Sequence, residues 1–285
     1  MYSESQLSDL IHSISSAKVY DLEQVRYNGM PYFMSQTPGY HYFLHRRHGE
    51  KPTGQPGSHG HTHPGVPLSA TSGQINSTDH VGTHIDALCH CAYEGKLYGG
   101  IEVSSEIQRE DGYTVHGAEL IPLITSRGIL IDAPAIKGVD ALPEGYEITK
   151  EDMQECLSSQ GVEIKEGDTV LARTGYDQFW MTDHHKYLRA AGVSKEVDLW
   201  LADKGVSVIG CDNTGWDHTY AAPPKHERTH FAHEYLLAQR GIYIIENMNL
   251  EPLSTAKCYE FLFVCLPLKF RGATASWVRP IALSI

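Results

Sequence analysis

His80-Val81-Gly82-Thr83-His84-Ile85-Asp86-Ala87-Leu88-Cys89-His90 gathers three imidazoles and one carboxylate within eleven consecutive positions. Side chains of this kind suit a divalent metal ion of intermediate hardness. If the run is helical, His80 and His84 share a face by their four-residue spacing; if it is extended, His84 and Asp86 share one by their two-residue spacing. Gly82 can turn the backbone between these conformations. Either arrangement brings ligands together, so the stretch reads as a metal site rather than as unrelated structural histidines.

The pattern His-x-Gly-Thr-His-x-Asp-x-Pro-x-His resembles the signature of the cyclase-like metal hydrolases, the family that holds bacterial kynurenine formamidase and isatin hydrolase. Leu88 stands where that signature has proline. The resemblance implies that His80, His84 and Asp86 are metal ligands and that His90 is the catalytic acid and base. A second stretch is similar too: His233-Glu234-Tyr235-Leu236-Leu237, followed by Gly241 to Asn247. In the formamidase branch a histidine and a glutamate from these two elements hold a second ion, with the first-site aspartate as bridge. Carried over, this implies His233 and Glu246 as further metal ligands, with His230 a competitor one helical turn earlier. The segment Arg271 to Pro280 resembles the closing stretch of the family, with Trp277 in place of an expected proline. From about Val19 to the C-terminus the resemblance implies a swivelling β/β/α-type single domain with a mixed sheet, assembled as a homodimer or homotetramer. Mn2+ and Zn2+ both accept two imidazoles and a carboxylate, so either suits the ligand set.

Composition narrows the alternatives. The chain has 285 residues, enough for a substantial core, and is read as one domain over 1–285. Thirty-five acidic residues against 23 basic ones give a formal charge of −12, and no basic run is present. Nucleic acid and anionic membranes are therefore poor partners, and a small-molecule substrate fits better. The start of the chain lacks the basic and apolar regions of a signal peptide, so a cytoplasmic location is expected. Six cysteines without paired spacing read as reduced thiols. Cys89 and Cys91 flank His90 but sit beside apolar neighbours, where a small buried thiol is the ordinary outcome.

Outward from the signature, residues 1–18 carry Leu7, Leu10, Ile11 and Ile14 at helical spacing. Lys18 to Leu22 reads as a strand. Residues 36–67 are rich in Gly, Pro and His, including His59, His61 and His63, and read as a loop. Tyr40, Tyr42 and Phe43 within it could wall a pocket for a planar substrate. In the second half strand and helix alternate. Gly128 to Asp132 is a buried strand; Thr149, with Asp152 three residues on, starts a helix that Gly161 ends. Asp168 to Arg173 is a strand, Ser194 caps a helix ending near Gly205, and Val206 to Gly210 is another strand. A helix carrying His233 precedes a strand that delivers Glu246 at its carboxyl end, and Glu260 to Pro267 is buried and extended. The polar stretches after two strands, Arg173 to Trp180 and Cys211 to Asp217, are pocket candidates. Phe179, Trp180 and Trp216 within them are candidates to stack on an aromatic substrate.

These features point to an α/β fold and to a metal-dependent hydrolase. It would open an amide or lactone bond of a small cyclic or aryl substrate by attack of metal-bound hydroxide. Set against the compact kynurenine formamidases of the family it resembles, the chain is longer in the 36–67 and 175–230 regions, and the resemblance therefore implies isatin hydrolase-like or other cyclic-substrate chemistry. An aryl formamidase and a non-hydrolytic metal-dependent cyclase are the alternatives.

Overall fold

Of the two geometries open to the signature, the chain adopts the extended one. The computed structural model describes residue 8 and residues 12–48, 70–218 and 230–284, and in it His84–Asp86 is a short, fully buried strand. It belongs to a nine-stranded sheet whose members, numbered along the chain, are β1 (Lys18–Asp21), β2 (His84–Asp86), β3 (Ile124–Asp132), β4 (Thr169–Arg173), β5 (Val208–Cys211), β6 (Tyr243–Glu246), β7 (Glu260–Cys265), β8 (Ala275–Trp277) and β9 (Ile281–Ser284). The spatial order is β1-β9-β7-β3-β4-β5-β6-β2-β8. Strands β3 to β6 run parallel, and the flanking pairs, β6 with β2 and β2 with β8 among them, run antiparallel. This is the mixed α/β sheet expected from the sequence.

The parallel centre follows from helical crossovers, as parallel neighbours require. Lys150–Gln160 links β3 to β4, and Lys195–Lys204 links β4 to β5. The first of these begins with a complete capping box between Thr149 and Asp152 and ends at Gly161 in the left-handed conformation. Gly205 ends the second in the same way, whereas Ser194 makes no side-chain cap. Side chains alternate between two apolar layers. Ile129, Ile131, Val170, Ala172, Ile209 and Ile244 face the crossover helices. Leu130, Leu171, Val208 and Ile245 face the opposite layer with Phe261 and Phe263. Such strands are buried on both faces, which is why they read as continuous apolar runs rather than alternating ones.

Two expectations are corrected. Within the 36–67 region His41–Arg46 is a strand, paired antiparallel with Ser72–Asn76 as an exposed hairpin; residues 49–69, with His59, His61 and His63, lie outside the described residues. The element carrying His233 is a π-helical turn, His233–Leu237, rather than an α-helix: Ala238 N donates to His233 O and Arg240 N to Tyr235 O, each five residues back. Of the N-terminal helix, residues 12–16 are helical and most of the rest lies outside the described residues. Among the described residues no helix is long and apolar enough to cross a membrane.

One close approach holds the segment beside the site in place. A Cβ on Gly192 would collide with the backbone of Asp217 and His218, where Val193 and Asp217 form a parallel bridge. Backbone on both sides leaves no side chain to give way. Gly192→Ala should therefore lower the urea midpoint by the equivalent of about 1–3 kcal/mol, more than the roughly 1 kcal/mol expected for Thr149→Ala at the helix cap. An alanine variant as stable as the parent would show that this contact opens without strain.

Candidate metal centre

The site is built on three adjacent strands. In the antiparallel register His84 lies opposite Glu246 on β6 and opposite Trp277 on β8, and Asp86 lies opposite Ala275. Residues directly opposite one another point to the same face, so His84, Asp86, Glu246 and Trp277 share one side of the sheet. The turn before β2 needs Gly82 at φ +76°, and a Cβ there would press on the Arg26 guanidinium. Thr83 fixes this turn by donating to Asn247 O at 2.6 Å while accepting from Gln24 N at 2.9 Å. Asn247, itself left-handed at φ 56°, donates to Gly82 O at 3.2 Å and so ties the residue after Glu246 to the signature.

Asp86 is 0% exposed, and four imidazoles surround it. His80 Nδ1 lies 3.0 Å and His84 Nε2 3.5 Å from its Oδ1; His233 Nε2 lies 3.2 Å from its Oδ2. His90 completes the group, its ring centroid 4.0 Å from that of His80 and 5.8 Å from that of His233. Glu246 stands alongside, with Oε2 3.5 Å from His84 Nε2 and Oε1 3.0 Å from His233 Nε2. The structure therefore brings together all six residues singled out in the sequence as ligands or catalyst.

Hydrogen bonds away from the centre decide which ring nitrogens carry protons. Thr274 Oγ1 donates to Asp79 Oδ2 at 2.9 Å, so it accepts from His80 Nε2–H at 2.9 Å and leaves His80 Nδ1 with a bare lone pair. His84 Nδ1–H donates to Gly82 O at 2.8 Å, since a carbonyl only accepts, and leaves Nε2 bare. Both bare nitrogens point at Asp86 Oδ1. Among the described residues neither oxygen of Asp86 nor His84 Nε2 makes a well-formed hydrogen bond. Lone pairs converging on buried anionic oxygens repel one another, and a cation between them removes that repulsion. The donor set, two neutral imidazoles and a carboxylate with their other atoms fixed from behind, fits a divalent ion.

Protons on the imidazoles offset the same repulsion: burial opposes a charge on His84, but Asp86, Glu246 and the Gly82 carbonyl raise its pKa above the ordinary value. Burial pushes the Asp86 carboxyl up, but His90, His233, His80 and His84 outweigh it and hold the group well below the usual carboxylate range. Burial likewise opposes ionisation of Glu246, and the His233 hydrogen bond brings it below its ordinary value. For His90 burial wins, depressing it to about 4 despite Asp86, with His80 and His233 adding to the shift. The thiols of Cys89 and Cys91 are pushed up by burial to about 12 and about 11, so both are protonated bystanders.

The aromatic residues proposed for substrate stacking are placed elsewhere. Trp180 and Trp216 are 1% and 0% exposed. Trp216 donates its indole N–H to Asp198 Oδ1 at 2.7 Å, and Trp180 donates to Val25 O at 2.8 Å while packing edge-on against Tyr187. Both are core residues with satisfied polar ends. Phe179 packs on the same core, its ring covered by Lys186 Nζ at 3.9 Å. Tyr42 and Phe43 lie on the exposed hairpin. Asp79, Thr274 and Asp217 were not singled out as individual residues in the sequence. Asp79 accepts from Thr274 N, Thr274 Oγ1 and Ala275 N and so staples β8 to the signature. Asp217 Oδ2 lies 4.0 Å from His233 Nδ1. The signal available for Asp79 was its position next to His80.

A family model described as "Putative cyclase" matches residues 20–218, and the chain belongs to this cyclase family. Its fold is similar to that of a crystal structure described as a novel cyclase, with 24% identity over 99% of this chain and 94% of that one and a TM-score of 0.79. It is also similar to isatin hydrolase A from Ralstonia solanacearum (18% identity, 100% and 98% coverage, TM-score 0.71) and isatin hydrolase A from Labrenzia aggregata bound to benzyl benzoate (19%, 97% and 98%, 0.68).

The tautomer argument has a direct consequence. Thr274→Val removes the acceptor for His80 Nε2–H and should lower divalent-ion affinity by about 10- to 100-fold, as read by competition with a chromogenic chelator. Asp86→Asn should abolish binding, with no ion found by elemental analysis. Unaltered affinity in the valine variant would mean that His80 is oriented by something else.

Proposed function

We propose that the chain is a metal-dependent hydrolase that opens an amide or lactone bond of a small cyclic or aryl substrate. The observation that carries this reading is the convergence of bare imidazole nitrogens on the buried, ionised Asp86, with a neutral His90 beside them. His80, His84 and Asp86 would hold the ion, and His233 and Glu246 stand where a second could share Asp86. When bound, a divalent ion supplies Lewis acidity for the carbonyl and brings coordinated water toward ionisation at neutral pH.

The remaining work falls to side chains. His90, uncharged at neutral pH, accepts the proton as water adds to the carbonyl carbon. It then returns that proton to the nitrogen or oxygen that leaves as the carbon–nitrogen or carbon–oxygen bond breaks. The products are a carboxylate and an amine or hydroxyl, on one molecule when the substrate is cyclic. A structural neighbour, an isatin hydrolase bound to the product analogue thioisatinate (19% identity, TM-score 0.70), supports a cyclic amide as the first substrate to try. The His233–Glu246 pair favours aryl formamides as the second.

Turnover of isatin, aryl formamides and small lactones by protein loaded with Mn2+ or Zn2+ tests the reading. Dialysis against a chelator should abolish it and re-addition restore it. His90→Asn should retain the ion while kcat falls by roughly two to four orders of magnitude. Glu246→Gln, which keeps shape and removes charge, should lower ion content or kcat. Full activity in protein shown by elemental analysis to be metal-free would end the proposal, and wild-type turnover by the His90 variant would move proton transfer to another group.

A further inference from the structure

Trp277 is the aromatic residue that the register places on the face of the metal centre. It lies directly across β2 from His84, on the side of the sheet that carries Asp86 and Glu246. Neither Trp180 nor Trp216 has this position, and both have their indole N–H groups satisfied by the protein. Trp277 differs in that respect: its Nε1 is buried and has no hydrogen-bond partner among the described residues. A buried donor without an acceptor is unfavourable, and the half-buried ring keeps part of its surface open.

The ring is held from several sides. The Arg26 guanidinium stacks over it at 5.1 Å, and the rings of Tyr40 and Phe270 lie 6.2 Å away at steep angles. Arg26 is itself anchored, donating to Thr83 O and pairing with Glu23, under the glycine turn of the signature. One turn thus sets both the ligands of β2 and the support of the indole. This is the chemistry of a preorganised wall: a rigid apolar surface with one directional donor.

We propose that Trp277 is a specificity-determining residue of the site, packing against a planar aryl or cyclic-amide ring and donating its indole N–H to an acceptor on that ring. This rests on the hydrolase reading above for the identity of the reacting bond, but binding tests it separately.

The experiment uses full-length, metal-loaded protein and two probes of one skeleton: isatin, which carries carbonyl acceptors, and indane, which carries none. Trp277→Phe retains an aromatic ring and removes the donor. It should weaken isatin binding, measured by calorimetry, by about 2- to 10-fold while leaving indane binding unchanged. Trp277→Leu should weaken both. If isatin is turned over, the phenylalanine variant should raise KM by the same factor with kcat within about twofold, since a contact made equally in ground and transition states leaves kcat unaltered. Ion content and thermal midpoint, measured on each variant, separate lost contact from lost fold. Equal isatin affinity in parent and both variants overturns the proposal, and so does a parent that binds neither probe. A parent that binds isatin through Trp277 but hydrolyses nothing would sustain it while removing the hydrolase reading.

Discussion

A fully buried carboxylate with no arginine or lysine in contact among the described residues is the constraint around which this chain is arranged. Asp86 is inaccessible to water, and the groups that approach it are imidazoles. Removing an ion from water without a partner is strongly unfavourable, so the surrounding histidines are part of what makes the strand at the centre of the site tenable. Glu246 adds a second negative group within reach of the same rings. Burial opposes a proton on His233, but Asp86 and Glu246 hold its pKa well above the ordinary value, so a protonated ring offsets part of the charge of the two carboxylates. A divalent cation would complete the balance, and the site and the fold around β2 would then be coupled, since an ion that binds the folded state stabilises it by an amount that grows with the logarithm of its concentration over Kd.

The backbone plan was legible because its signals are local. The two-residue spacing of His84 and Asp86, the box formed by Thr149 and Asp152, and the glycines at 161 and 205 each act within one turn or one strand, and the structure has each of them in place. The chemistry around the site was legible only in part, because its supports act over long separations. Asp79 meets Thr274 across 195 residues of chain, and Thr83 meets Asn247 across 164. Trp216 looks in sequence like a residue at the mouth of a pocket, and its true partner is Asp198 on a crossover helix. An aromatic residue after a strand has the same appearance whether it faces a ligand or the core. Leu88, in place of proline, leaves the turn intact, since His90 N still donates to Ala87 O at 2.8 Å.

His233 shows how electrostatics and packing converge on one ring. Burial opposes its protonation, but hydrogen bonds to Asp86 and Glu246 and their charges raise its pKa well above the ordinary value. On its far side Nδ1 has no hydrogen-bond partner among the described residues and faces Asp217, 4.0 Å away, whose own carboxyl is raised by burial to about 7 despite the opposing pull of His233. The ring therefore sits between two carboxylates on one side and a third on the other.

That ring stands on the π-helical turn His233–Leu237, whose bonds reach back five residues. Such a turn holds one residue more than the α-helix it interrupts, and each residue of an α-helix advances the face by about 100°. The surplus residue thus works as an angular setting. In a lineage of related chains, loss of a single codon between 233 and 241 would leave every ligand present in the sequence and swing the imbalance onto one of two elements: either His233 turns away from Asp86, or the strand bearing Glu246 shifts its register. Alignments that score residue identity alone would not register the difference, whereas the count of residues between the histidine and the glutamate would.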